Sequence, residues 1–317
     1  MEACYSEDKF NATSYDALAM AIITLQAFSG MWINAFIVFV LCIVCVKKRS
    51  FNSNEKILLV LGCSRFWYLC INWVYAFLSI IYPQCFYVHP IPQVFVAIQS
   101  FLNASNVWVS ACLCVFYCIK IANFRHIFFI YLKVKIDKIV PWVLLGTMLL
   151  CLAICILSYD IIDKTQCQYL DSTALGNFWK LNVRTDEHFF PVFFISGFGI
   201  TSAFITVIFS ALLLLFSLWR HKRRMQTNSV QNFSMDAHIK AMKSILSFFF
   251  IYTINFICLV LTLIYVTEKE NPVILLILVL QDVFPVVHSI ILIFSNPKLE
   301  KALLRTFPCV KCKVCMR

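Results

Sequence analysis

The sequence predicts an all-α membrane protein, a bundle of seven transmembrane helices that forms a single domain over residues 1–317. The first reason is composition, because hydrophobic residues make up 61% of the chain, charged residues only 14%, and the mean hydropathy is +0.82. A soluble domain usually has about 45–50% apolar and about 25% charged residues. The second reason is that seven apolar stretches reach the roughly 20 residues needed to cross a bilayer. These stretches are residues 17–46, 57–82, 94–119, 139–158, 189–219, 242–266 and 272–295.

The first span and the fifth are longer than a bilayer requires, so we expect both helices to tilt or to extend into the cytoplasm. No basic segment with a small-residue cleavage site precedes the first span, so we expect this span itself to direct membrane insertion. Short connections separate the spans, and the longest, 159–188 and 220–241, leave no room for a second domain. Most prolines lie at predicted span ends, Pro141 among them, and Pro285 is the interior case.

A short cytoplasmic tail, residues 298–317, follows the seventh span. The apolar residues of its first half share one helical face, whereas the basic residues lie elsewhere. This pattern predicts a short amphipathic helix that lies on the inner membrane leaflet. The apolar face consists of Leu299, Ala302, Leu303 and Phe307.

The charges of the connections indicate the orientation of the bundle. Of the 27 Lys and Arg residues, 21 fall in the connections of one side (47–56, 120–138, 220–243 and 298–317) and five in those of the other. The acidic residues are distributed the opposite way, with four on the first side and 11 on the second. The positive-inside rule therefore places the N-terminus outside the plasma membrane and the C-terminus in the cytoplasm. The net charge of +11 then needs no nucleic acid, because the basic loops face anionic membrane lipids and any acidic partner.

The 16 cysteines suggest modification rather than metal binding. Of the three on the predicted outer side, Cys85 and Cys167 are a possible disulfide pair, which the sequence alone does not decide. The three in the tail lack a fourth nearby zinc ligand and the spacing for prenylation. We expect these three to be palmitoylated, with unmodified thiols as the alternative, namely Cys309, Cys312 and Cys315.

Three sequons for asparagine glycosylation fall in different compartments of the predicted topology. Asn11 lies outside, Asn103 within the third span, and Asn232 in a cytoplasmic loop. Glycosylation occurs on the outer side, so we expect only Asn11 to be modified.

Two ionisable residues lie well inside predicted spans, Arg65 in the second and Asp282 in the seventh. Intramembrane charges are costly and are candidate functional positions. Counted from the span ends, both lie at similar depth, as does Asn34 of the first span. The candidate polar cluster also includes His288 and Ser289 of the seventh span. Its role stays open between a structural clamp, a conformational switch and a proton relay, and Asp282 is either the partner of Arg65 or a ligand contact.

No enzyme motif occurs in the sequence. The six histidines are scattered, no H-x-x-x-H pair or G-x-S-x-G elbow is present, and six glycines provide no phosphate-binding loop. We therefore expect neither catalysis nor a cofactor or metal. A secondary transporter would show paired Gly/Pro interruptions in corresponding halves, which this chain lacks. A signalling receptor remains the favoured class.

Several motifs together resemble those of the bitter taste receptor family, the type 2 taste receptors, which are seven-transmembrane G-protein-coupled receptors. The Asp-Arg-Tyr, Cys-Trp-x-Pro and Asn-Pro-x-x-Tyr motifs of rhodopsin-type receptors are absent. The motifs that resemble those of the bitter taste receptors follow one another at the expected depths. They are Asn34-Ala-Phe-Ile, Ser64-Arg65, the run from Phe116 to Phe124, Phe216 to His221, His238 to Lys243, and Pro285-x-x-His288-Ser289.

The resemblance implies a ligand pocket that opens outward between spans three, five, six and seven. Trp108 matches the family's pocket tryptophan, and the residues expected to share its face are Ser105, Ala111 and Cys112. Asn255 stands where relatives often have an aromatic residue. Leu278 stands where some relatives have a glutamate. Polar recognition is therefore expected to involve Asp282, one turn deeper than Leu278.

The resemblance also implies bitter small molecules as agonists and a heterotrimeric G protein of the gustducin and inhibitory class. The expected G-protein face consists of Lys120, Asn123, Arg125, Lys133, His221, Arg224, His238, Lys240 and Lys243. The alternatives are a vomeronasal-type pheromone receptor and a secondary transporter gated by an Arg65–Asp282 pair. The oligomeric state stays open.

Overall fold

A computed structural model of the chain describes residues 14–82, 88–122, 126–169, 189–227, 246–247, 249–258, 260–261 and 273–306. The regular structure of these residues is entirely helical, which confirms the all-α class. The helices are α1 (Ser14–Lys48), α2 (Ser53–Ile81), α3 (Ile91–Ile121), α4 (Ile127–Tyr169), α5 (Phe189–Thr227), α6 (Phe249–Cys258), α7 (Val273–Ser295) and α8 (Pro297–Thr306).

Helices α1 to α5 are each long and apolar enough to cross a membrane. Helix α7 meets the same test only together with α8, from which it is bent by 97°, and the described part of α6 is a shorter apolar helix. Large apolar side chains also face away from the bundle, such as Trp32 of α1 and Trp142 of α4, which are 73% and 74% exposed. A surface of this kind suits lipid, so the fold is that of a multi-pass helical bundle.

Helix α3 lies at the centre of the bundle, where it packs against α2, α4 and α5, and it is the most buried of the membrane-length helices. Its buried positions include small residues such as Ser105, Ser110 and Ala111, which let neighbouring helices approach closely. Helix α1 packs against α2 and α7. Gly30 permits this approach, because an added Cβ would lie 2.5 Å from Leu69 Cδ1 and 2.7 Å from Val286 Cγ2.

The end of α7 and the start of α8 are formed by the sequence Asn296-Pro297. The Asn296 amide closes the last turn of α7 on the carbonyl of Leu292, and its Oδ1 accepts a hydrogen bond from the Lys298 amide at 3.0 Å. Asparagine is a favoured residue before a helix and proline is favoured in its first turn. Leu299 is fully buried and Lys301 is exposed, so α8 is the expected amphipathic helix.

Helix α4 differs from the expectation at its inner end. It begins at Ile127, twelve residues before the predicted span, and Pro141 therefore lies inside the helix rather than at its start. The reason is that hydropathy reports the part of a helix in contact with lipid, whereas a helix continues wherever its backbone groups are paired. Membrane helices tolerate an interior proline when their neighbours compensate for the lost hydrogen bond.

Candidate functional site

Arg65 of α2 is completely buried among polar side chains of α3 and α7. Its Nε donates a hydrogen bond to Asn106 Oδ1 at 2.8 Å, and its Nη2 donates to Ser110 Oγ at 3.2 Å. Towards α7, Nη1 donates to Ser289 Oγ at 2.9 Å, and Nη2 contacts His288 Nδ1. All four partners are neutral when His288 accepts through Nδ1, so the guanidinium charge is stabilised by dipoles.

The network continues from Ser289 to α1. The Ser289 hydroxyl accepts from Arg65 and donates to Asn34 Oδ1 at 2.8 Å. Asn34 in turn donates through Nδ2 to the carbonyl of Gly30 at 2.8 Å. The structure thus brings together four of the five residues of the candidate polar cluster, and through them links α1, α2, α3 and α7.

Asp282, the fifth residue of that cluster, belongs to a different layer of the bundle. Its Oδ1 accepts a hydrogen bond from Asn72 Nδ2 at 3.0 Å, and Asn72 Oδ1 accepts one from Gln99 Nε2 at 2.8 Å. Asn72 lies seven residues from Arg65 on α2, and Asp282 lies seven residues from Ser289 on α7, both towards the side that is predicted to face outside. At 1.5 Å per residue the two layers are about 10 Å apart. Arg65 and Asp282 therefore do not pair. The prediction that they lie at similar depth was wrong, because it counted residues from the predicted span ends.

Trp108 lies beside an apolar cluster built from four helices. The cluster includes Val107 of α3, Val207 of α5, Tyr252 of α6 and Phe284 of α7, with the half-buried Trp108 ring packed against it. Tyr252 donates a hydrogen bond from its hydroxyl to the carbonyl of Val107 at 3.0 Å, which ties α6 to α3. The helices that meet here are those that the family resemblance names for the ligand pocket.

The residues expected to share the face of Trp108 divide between two surroundings. Ala111 belongs to the same apolar cluster as the tryptophan. Ser105 Oγ instead lies 3.8 Å from Met148 Sδ, and Cys112 Sγ lies 3.5 Å from Thr147 Oγ1, both on α4. In this structure Ser105 and Cys112 thus contact α4, because residues 105 and 112 lie on the side of the helix that packs there. Asn255 of α6 is buried, one turn after Tyr252.

The predicted cytoplasmic face is described only in part. Lys120 Nζ lies 2.8 Å from Asp137 Oδ2, and Lys133 Nζ donates to the carbonyl of Ala122 at 3.5 Å. Several other predicted residues lie outside the described residues: Asn11, Cys85, Asn123, Arg125, His238, Lys240, Lys243, Cys309, Cys312 and Cys315. The helix backbone is described but the side chain is not at Cys167, His221, Arg224 and Leu278.

Sequence reasoning missed several polar residues that take part in these contacts. Asn106 and Ser110 are one turn apart on α3, and both accept hydrogen bonds from Arg65. Asn72 donates to Asp282, and Gln99 donates to Asn72. The available signal was the presence of amide and hydroxyl side chains inside apolar spans. Such groups need partners in lipid, but sequence does not say which helix provides them.

Comparison with known proteins provides a family match. The family model described as Taste receptor protein (TAS2R) matches residues 12–311. The chain is 31% identical over 303 residues to Taste receptor type 2 member 9 of Homo sapiens, which covers 95% of this chain and 96% of the relative. It is 30% identical over 302 residues to Taste receptor type 2 member 10 of Papio hamadryas, with 94% and 95% covered.

Proposed function

Because the chain belongs to the type 2 taste receptor family, we propose that it detects bitter small molecules in a pocket within its helix bundle and activates a heterotrimeric G protein of the gustducin and inhibitory class. The observation that carries this proposal is the match of the family model to residues 12–311, nearly the whole chain. The family comprises receptors and not enzymes, and its members sense small molecules and act through G proteins.

We place the bitter-compound pocket beside Trp108, between α3, α5, α6 and α7. The half-buried ring packs against an apolar cluster that contains residues of all four helices. An indole at such a point provides a flat apolar surface and an electron-rich face for a cationic ligand. Asn255, one turn from Tyr252, is a buried polar residue of α6 close to this cluster in sequence.

Tyr252 provides the proposed route from this pocket to the cytoplasmic side. Its hydrogen bond to the carbonyl of Val107 joins α6 to α3, and its ring lies 5.6 Å from that of Phe284 on α7. An agonist shifts the receptor only by binding one packing of the helices better than the other. A ligand beside Trp108 that favours a packing without the Tyr252–Val107 bond would release α6 and activate the receptor.

The G-protein face is proposed on the basic inner ends of α3 to α6. The described members, Lys120 and Lys133, lie at the junction between α3 and α4. Basic loops also orient the bundle in the membrane, so the same charges serve topology and docking.

The direct test is a screen of bitter compounds on cells that express the receptor with a gustducin-like chimeric G protein. The expected result is agonist-dependent calcium release that is absent from cells without the receptor. Silence across a broad panel, with receptor detected at the surface, would contradict the proposal. A transporter would instead produce ligand-driven flux in proteoliposomes without G protein, and its proposed Arg65–Asp282 gate has lost its structural basis.

For the pocket, Trp108→Ala is expected to lower agonist potency by about tenfold, which lies within the range that loss of an aromatic cation contact produces. Trp142→Ala provides the matched control, because Trp142 is a lipid-facing tryptophan on α4. Both variants are compared in calcium dose–response curves at equal surface expression. Equal effects of the two substitutions on several agonists would remove Trp108 from the pocket.

A further inference from the structure

Asp282 is an acidic side chain inside a membrane-spanning helix that lacks a cationic partner. Its hydrogen-bond partner is the neutral amide of Asn72. Among the residues that the structure describes, no Lys, Arg or His forms an ion pair with it. A carboxylate at this depth is costly unless another group compensates its charge. The site is therefore electrostatically incomplete.

The surrounding hydrogen bonds orient this carboxylate in a defined way. Gln99 donates to Asn72 Oδ1 at 2.8 Å, which leaves the Asn72 amino group to donate to Asp282 Oδ1 at 3.0 Å. An ionised carboxylate only accepts hydrogen bonds, so the chain from α3 through α2 to α7 suits the charged form. The second oxygen, Oδ2, receives no hydrogen bond within the described part of the chain, and it is not among the buried atoms that lack one.

The carboxylate and its two amide neighbours are not sealed within the bundle. Asp282, Asn72 and Gln99 are all only half-buried, although each lies within a helix of the bundle. On α1, Gln26 donates through Nε2 to the carbonyl of Val279, one turn outward of Asp282. Its Oε1 is buried with no hydrogen-bond partner among the described residues. Within the described part of the chain, two oxygen acceptors near the outer part of α7, Gln26 Oε1 and Asp282 Oδ2, thus receive no hydrogen bond.

The chemistry of these acceptors favours an ammonium group over a metal ion. A metal ion of the Ca²⁺ or Mg²⁺ type requires about six or more oxygen ligands, whereas the Asn72 oxygen is already occupied by Gln99. The described residues also contain no group of three or more acidic, His or Cys side chains suited to a metal. An ammonium group needs only a few acceptors and brings both the missing donors and the missing positive charge.

We propose that the chain Gln99–Asn72–Asp282 is a binding site for the protonated amine of cationic agonists, an inference that rests on the proposed receptor function. The carboxylate provides the counter-charge, and Asn72 and Gln99 hold it in place. This site is distinct from the apolar region beside Trp108, and it defines a chemical class of agonist.

The first test is Asp282→Asn, which keeps the shape of the side chain and an oxygen for Asn72 but removes the charge. Agonists found in the compound screen are separated into protonated amines and neutral compounds. Potency of the amines is expected to fall by about tenfold to a hundredfold, the range of a hydrogen bond to a charged group. Neutral agonists should keep their potency, as should both classes on Asp160→Asn, a charge-loss control at the exposed outer part of α4. Unchanged amine potency on Asp282→Asn would overturn the proposal.

A binding measurement separates this proposal from the receptor function itself. Purified receptor is melted with benzylamine hydrochloride, benzyl alcohol or sodium chloride at millimolar concentrations. Benzylamine should raise the melting temperature of the wild type and not of Asp282→Asn, whereas benzyl alcohol should not distinguish the two. Stabilisation by sodium alone that depends on Asp282 would overturn the proposal in favour of an inorganic cation. A receptor silent to every compound refutes the proposed function, and the melting result still decides the site.

If Asp282→Asn does not reach the surface, Asn72→Ala serves as the second variant. It keeps the carboxylate and removes the group that orients it, so amine potency should fall while neutral agonists are unaffected. An equal loss for amines and neutral compounds would mean that Asn72 only stabilises the fold and would contradict the assignment.

Discussion

Arg65 shows how a single charged residue can be accommodated inside a membrane bundle. Its three guanidinium nitrogens are directed to four neutral partners on two helices. Breaking a buried ion pair leaves the remaining charge uncompensated. When neutral dipoles surround the charge, the loss of one partner leaves the others in place, because each contributes part of the stabilisation.

Replacement of Arg65 by alanine removes the donor for all four partners at once. Each buried polar group left without a partner costs about 1–3 kcal/mol, so we expect a strong decrease in melting temperature and in surface expression. Ser289→Ala removes one of the four partners of Arg65 together with the bond to Asn34, so it should cost less than Arg65→Ala, about 1–3 kcal/mol. The measurements are thermal melting in detergent and surface labelling of intact cells. Similar melting temperatures for Arg65→Ala and Ser289→Ala would contradict a central role for Arg65.

At the scale of elements, Glu55 joins the start of α2 to the start of α8, at the end of the bundle that is predicted to be cytoplasmic. This buried residue lies in the first turn of α2, where its Oε2 accepts a hydrogen bond from the Asn52 amide at 2.9 Å. Its Oε1 pairs with Lys298 in the first turn of α8. One carboxylate thus starts α2 and fixes the direction in which α8 leaves α7.

Lys298→Met tests this link. It removes the cationic partner of the buried Glu55 carboxylate, and we expect the free energy of unfolding to fall by about 1–3 kcal/mol. Lys301→Met on the exposed face of α8 is the matched control and should change it by less than about 0.5 kcal/mol. In a double-mutant cycle, Glu55→Gln should lose most of its effect once Lys298 is already replaced. Additive effects of the two substitutions would show that the pair does not contribute as a unit.

The limits of sequence-based prediction also become clear at this scale. Apolar composition is a local property, so α1 to α3 begin and end within about four residues of the predicted spans. Helix α4 was predicted too short at its inner end, because helix and membrane boundaries are different quantities. The partners of Arg65 and Asp282 could not be predicted, since they depend on how each helix rotates and on its depth to within one turn. A shift of about 10 Å, seven residues, separates the two layers.

For the whole molecule, the distribution of charge is the property that predicts the orientation of the bundle. The connections predicted to be cytoplasmic contain 21 of the 27 Lys and Arg residues, and the opposite side contains 11 of the 16 acidic residues. Reversal of the bundle would move this basic surface across the membrane and away from the inner leaflet. The proposed functions of both ends depend on this orientation, because agonists arrive outside and the G protein is cytoplasmic.

Epitope tags and sequon variants test the orientation independently. A tag at the N-terminus should be detected on intact cells, whereas a tag at the C-terminus should be detected only after permeabilisation. Asn11→Gln should abolish a glycosidase-sensitive shift in mobility, because Asn11 is the one sequon predicted to face outside. Asn232→Gln is the matched control, since the same sequon chemistry lies on the predicted cytoplasmic side. Loss of the shift with Asn232→Gln, or detection of the C-terminal tag on intact cells, would invert the topology and with it the assignment of the ligand and G-protein faces.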